Sequence, residues 1–165
     1  MGSYLTLSNA SKTVTHDATS SWANVRANDA KSSGKWYFEV SVTTMGGSGY
    51  SMVGIDKAGS NLNTYHGGNA NGYGYQSNGI RWHSGGSAGY GATWTTGDVI
   101  GVALDFDAGT LTFYKNNATQ GTAYNTGMTG SFFPCASLYI STVLVGKFNA
   151  ASLTYSPPAG HSAWG

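Results

Sequence analysis

The chain has 165 residues, a formal net charge of +1, 25 glycines, and only 9% charged against 13% aromatic residues. That length suits a single domain with a real core, and basic residues scattered from Lys12 to Lys147 lack the clustering that a nucleic-acid footprint needs. A lone cysteine, Cys135, excludes an internal disulfide, and no apolar run approaches membrane-spanning length or forms the h-region of a signal peptide.

Helical periodicity is nearly absent, because Gly and β-branched residues interrupt every window in which it could build up. Strand patterns recur instead. Residues 4–7 open the series, 12–15 form a weaker candidate, and 22–27 lead to a turn at Gly34. Residues 35–43 alternate most cleanly, with Trp36, Phe38, Val40 and Val42 inward and Tyr37, Glu39, Ser41 and Thr43 outward. A Gly-rich loop over 45–49 precedes the strand 50–55. Residues 56–71 have no periodicity and contain Tyr65, His66 and Asn69. A connection of that length inside a compact domain is usually functional or disordered.

Residues 72–76 and 80–83 read as a short hairpin across Ser77-Asn78-Gly79, and 85–96 as a second Gly-rich loop. Residues 97–117, GDVIGVALDFDAGTLTFYKNN, carry the most legible hairpin. Ile100, Val102, Leu104 and Phe106 share one face, which Leu111 and Phe113 resume after the turn. Keeping Phe106 opposite Leu111 and Leu104 opposite Phe113 calls for a four-residue loop over 107–110, with Gly109 at positive φ. Asn116-Asn117, tolerant of a left-handed backbone, turns the chain again. Strands over 132–139 and 143–149 follow, then a Pro-Pro tail ending HSAWG. Many short strands at regular turn spacing predict an all-β sandwich or barrel, without linker or internal repeat.

Catalytic constellations are weak. Cys135, in FFPCASLY, reads as a buried small hydrophobe, since no His or basic neighbour would activate it. Residues 85–89 match G-x-S-x-G, but no helix follows to form a nucleophile elbow. Asp105 and Asp107 lie side by side on one strand face and do not face each other across a substrate. His16, His66, His83 and His161 lack metal-ligand spacing, so neither metal nor cofactor is expected. Three aromatic clusters remain. Tyr65-His66 is the first candidate site, against the plainer reading of a loop tyrosine packed on the sandwich edge. Trp82, between Arg81 and His83, reads as a core residue in preference to an exposed platform. Tyr90 and Trp94 could stack on a sugar face or simply anchor their loop.

In order and spacing, GKWYFEV (34–40), VGID (53–56), NGYGYQ (71–76), the 97–117 segment and FFPCASLY (132–139) resemble the SPRY domain, the core of the B30.2 module. The match spans about 22–149, and Asn117 stands where the family usually has glycine. The resemblance implies two packed antiparallel sheets in a bent sandwich, no catalytic centre, and recognition of a partner, often a short peptide, by loops on one face. An aromatic in the long loop contributes to that surface in peptide-binding members, and by position this is Tyr65. The segments around Tyr50 and from Tyr139 to Thr142 line the same surface.

These readings give one sandwich domain over 1–165, with 150–165 packing on it or trailing from it. The expected activity is non-catalytic recognition through Tyr65, His66, Tyr50, Asn69, Tyr139, Tyr90 and Trp94. The Gly/Asn/Thr-rich loops resemble phage and bacterial members, so the expected setting is a virion tail fibre. There the domain would sit outside the cell and bind a host cell-surface glycan or protein, with neither nucleic acid nor membrane insertion. The alternative is a structural domain that makes a homo-oligomer within a parent fibre; a glycan-degrading enzyme is the weakest reading.

Overall fold

Period-two alternation becomes strand wherever one face can be buried, and the computed structural model, which describes residues 1–165, contains 14 strands and no helix. One sheet comprises β1 (Leu5–Ser8), β2 (Thr13–His16), β4 (Lys35–Thr44), β9 (Val99–Asp105), β10 (Thr110–Lys115), β11 (Ala118–Tyr124), β13 (Val143–Lys147) and β14 (Ser162–Ala163). The other comprises β3 (Trp22–Arg26), β5 (Ser51–Asp56), β6 (Gly72–Gln76), β7 (Ile80–His83), β8 (Gly86–Gly89) and β12 (Phe133–Tyr139). Their orders are β1-β2-β13-β4-β9-β10-β11, with β14 beside β4, and β3-β12-β5-β6-β7-β8. The pairings are antiparallel except that of β14 with β4. This is the two-sheet antiparallel architecture expected.

Phe38, Val40 and Val42 of β4 join Ile100, Val102, Leu104, Leu111 and Phe113 in one wall of the core; Val53, Ile55, Tyr73, Tyr75, Ala136 and Leu138 supply the other. Each fully buried large apolar side chain contributes roughly 1.5–3 kcal/mol. Cys135 is buried as expected, and desolvation pushes its thiol pKa up.

The central hairpin differs from expectation in register. Leu111 pairs with Leu104 and Phe113 with Val102, a slip of two residues. An even slip keeps every apolar residue on its face. Its cause is Asp105, whose Oδ1 accepts the Ala108 amide at 2.9 Å and whose Oδ2 meets Lys35 at 3.0 Å. The turn therefore closes over 106–109, with Gly109 at φ +67°. Asn116 and Asn117 lie at φ +48° and +68° and form the two-residue turn into β11. β8 and β11 were not expected. Every residue of β8 is exposed, and β11 is mostly so, hence neither shows apolar alternation.

Tyr37 and Glu39, expected outside, are buried because residues 150–165 cover that face of β4. The Glu39 carboxylate accepts the Thr154 and Tyr155 amides at 2.6 and 3.0 Å and the Tyr37 hydroxyl at 3.1 Å. Ser162-Ala163 lies beside Trp36-Tyr37, and Trp164 enters the core edge-on to Phe38, with ring centroids 5.5 Å apart. Its indole donates to the Asp29 carbonyl at 3.0 Å. Nearby, Val14, Val25, Phe38, Leu144 and Trp164 border a cavity of about 390 Å³ at the open edge of the sandwich. Of the charged residues around it, Asp29 is paired with Lys31, and Arg26 donates to the Lys57 carbonyl. The more aromatic concavity lies elsewhere.

Candidate functional site

Alternation along the second sheet sends Ala23, Val53, Tyr75 and Leu138 into the core, and therefore turns Trp22, Met52, Gln76 and Tyr139 to the opposite face. Trp82, opposite Gly74, joins them from β7. The 57–71 loop folds back across this face. Its neck closes through the Lys57 amide and Asn71 carbonyl at 3.1 Å, and the Asn24 amide donates to the Leu62 carbonyl at 2.8 Å. On the far side, Ser84 and Gly85 donate to the Asn69 and Gly67 carbonyls.

His66 pins the loop. Its backbone amide donates to Ser137 Oγ at 2.9 Å, and its Nδ1 lies 2.7 Å from the same oxygen. The Ser137 hydroxyl thus ties both the backbone and the ring of His66 to β12. The ring rests on Gly54 and Gly74, where an added Cβ would come within 2.8 Å of Nε2. Burial pushes the His66 pKa down to about 4.

Beside this pin, Trp22, Tyr50, Met52, Tyr65, Gln76 and Trp82 line a slot of about 200 Å³. The Tyr65 centroid lies 5.8 Å from Trp22 and 5.4 Å from Trp82, with ring planes inclined by 58° and 69°. Tyr139 backs Trp22 at 5.2 Å. Gln76 Oε1 accepts the Trp82 indole N–H at 2.8 Å, which fixes one wall. Tyr50, 45% exposed, stands at the rim.

The neighbouring 139–142 segment is strained. Ile140 and Ser141 both have positive φ, +26° and +51°, a conformation costly for a β-branched residue. Thr142 holds it in place, its Oγ1 donating to the Tyr139 carbonyl at 2.6 Å and accepting the Gly46 amide at 3.2 Å.

Tyr50 and Tyr65 thus meet in one slot, with Tyr139 behind Trp22. Other expected contacts are elsewhere. His66 is only 3% exposed, so it holds the loop and presents no surface to a ligand. Trp94 is also 3% exposed and belongs to the core, because 85–96 is tied down by β8 and by the Trp94 amide donating to the Ser77 carbonyl. Tyr90 is half-buried; its hydroxyl donates to the Gly121 carbonyl and accepts the Phe113 amide, leaving it a bracing role. Asn69 is exposed but shapes the loop, its Oδ1 accepting the Asn71 amide. Trp82, read from sequence as core, lines the slot. Trp22, Met52 and Gln76 were missed; their one local signal was alternation with core residues. No group of three or more His, Cys, Asp or Glu side chains converges as a metal site would require.

The SPRY domain family matches residues 35–150. Ran-binding protein 10 of Danio rerio is 36% identical over 109 residues, which cover 64% of this chain and 18% of that protein. Ran-binding protein 9 of Xenopus laevis is 37% identical over 64% of this chain and 19% of its own length. The chain therefore spans under a fifth of these relatives. A human SPRY domain superposes with a TM-score of 0.76 at 18% identity, covering 89% of this chain and 96% of that one. The SPRY domain of human HERC1 gives 0.77 at 18% identity, covering 92% and 94%. These two likenesses concern the fold.

Proposed function

Since this chain belongs to the SPRY domain family, we propose that it is a recognition module whose slot between Trp22, Tyr65 and Trp82 takes a short peptide segment of a partner protein. SPRY domains are generally non-catalytic protein–protein interaction modules, which supports the class of activity. The observation that carries the assignment is the slot itself. Four Trp and Tyr rings, two from strands β3 and β7 and two from loops, border a single concavity beside a strained segment. Such rings offer contact area at low conformational cost, and rigid strands hold the two tryptophans in advance of binding.

A host-surface glycan or protein as partner, and a fibre as setting, have only the Gly/Asn/Thr-rich loops behind them. The vertebrate relatives lend them no support. A sugar also suits the slot less well than a peptide, because the lining offers few polar groups: one carboxamide and the tyrosine hydroxyls.

The test is selection of peptides from a random display library on the wild-type chain, followed by affinity measurement on a Tyr65→Ala variant. The expected loss is at least about tenfold in Kd, with a urea midpoint little changed. Equal affinity for both proteins would remove the slot from the binding surface.

A further inference from the structure

The slot is built from unusual material for an apolar pocket. The core mixes Tyr and Trp with many Val, Leu, Ile and Phe, yet none of these last four lines the slot, which has two Trp, two Tyr, one Met and one Gln. Tryptophan and tyrosine carry the strongest negative potential over their ring faces, and a cation gains from it when held close. The inclined rings of Trp22, Tyr65 and Trp82 make walls at steep mutual angles, unlike a closed parallel stack.

The protein's own cations are placed elsewhere. Arg26, Lys31, Lys57 and Arg81 lie over Phe133, Trp36, Phe132 and Tyr124, none of which lines the slot. No carboxylate lines it either, so a bound cation would face rings and not a counter-ion. That distinction sets the kind of cation. A primary ammonium is strongly hydrated and needs acceptors in exchange for its water. The Gln76 oxygen already accepts from Trp82, leaving tyrosine hydroxyls as the remaining side-chain oxygens of the lining. An alkylated ammonium sheds water easily and presents methyl groups to the rings.

We propose that the slot is a receptor for an alkylated ammonium group, a methylated lysine side chain of the bound peptide being the protein-borne form. This rests on the slot being the peptide site, and it specifies which side chain enters.

The experiment titrates the whole chain with choline and with its neutral isostere 3,3-dimethyl-1-butanol, following the indole N–H resonances of Trp22 and Trp82. Choline is expected to bind roughly tenfold more tightly and to shift both indoles. Tyr65→Phe should keep choline affinity within about threefold, whereas Tyr65→Leu should lose about tenfold for choline and leave the neutral alcohol unaffected. Retained alcohol binding shows that the Leu variant is folded. Equal affinity for the two probes, or choline binding that leaves both indoles unmoved, would overturn the proposal. Library peptides that compete at the slot without cationic residues would also overturn it, while leaving the peptide-binding reading intact.

Discussion

His66 touches Ser137 through two of its nitrogens, and its burial disfavours the charged ring. Its pKa is pushed down to about 4 from an ordinary 6.5 by burial. Between those values the unfolded chain holds a proton that the folded one refuses. Stability therefore falls as pH drops from about 6.5 to about 4, by up to roughly 3 kcal/mol from this residue. Urea unfolding of wild type and His66→Asn across pH 4–7 should show a shallower pH slope in the variant. Parallel slopes would mean that another group carries the acid sensitivity. The same residue shows why a side chain adjacent to Tyr65 is not a contact: neighbours in an irregular loop can point to opposite sides, one into the slot and one onto the sheet.

The shelf beneath His66 belongs to β5 and β6. At Gly74 an added Cβ would meet the ring at 2.8 and 2.9 Å, with the next contact at 3.5 Å. Gly74→Ala should destabilise by about 1–3 kcal/mol and loosen the 57–71 loop. Removing the ring as well, in Gly74→Ala/His66→Ala, should recover at least ~0.5 kcal/mol of coupling in a double-mutant cycle by urea denaturation. In the β10–β11 hairpin, Asn117 has φ +68°, which suits glycine better, so Asn117→Gly should stabilise by about 0.5 kcal/mol, again by urea midpoint. The β9–β10 hairpin was legible because Leu104, Leu111 and Phe113 alternate with smaller or polar residues, whereas the mostly exposed β11 offered no such pattern. Position of the turn was less so, since the Asp105 contacts to Ala108 and Lys35 that fix it are tertiary as well as local. The slot was half legible. Tyr65 stands out in an aperiodic loop, but Trp22, Met52, Gln76 and Trp82 come from four strands whose adjacency follows from the order β3-β12-β5-β6-β7. Local alternation gives each residue a face and no neighbour across the sheet.

The two faces of the molecule are closed by different means. The 57–71 loop covers the second sheet and leaves a slot, whereas residues 150–165 cover β4 of the first sheet and seal it. Trp164 is 1% exposed within the core, so Trp164→Ala should cost about 3–5 kcal/mol, read as a lower urea midpoint. A loss below ~1 kcal/mol would mean that the tail merely rests on the sheet. The tail contact also bears on timing. Trp164 bonds to Asp29 across 135 residues of chain, and Glu39 receives Thr154 across 115. On a ribosome, most of the apolar face of β4 can pack with β9 and β10 early, but the side of Phe38 that meets Trp164 and the Glu39 carboxylate wait for a segment made much later. Closure of such distant contacts is slow and exposes sticky intermediates. A nascent chain halted before Thr154 should therefore leave this part of β4 open to a chaperone, and one extended past Trp164 should close it.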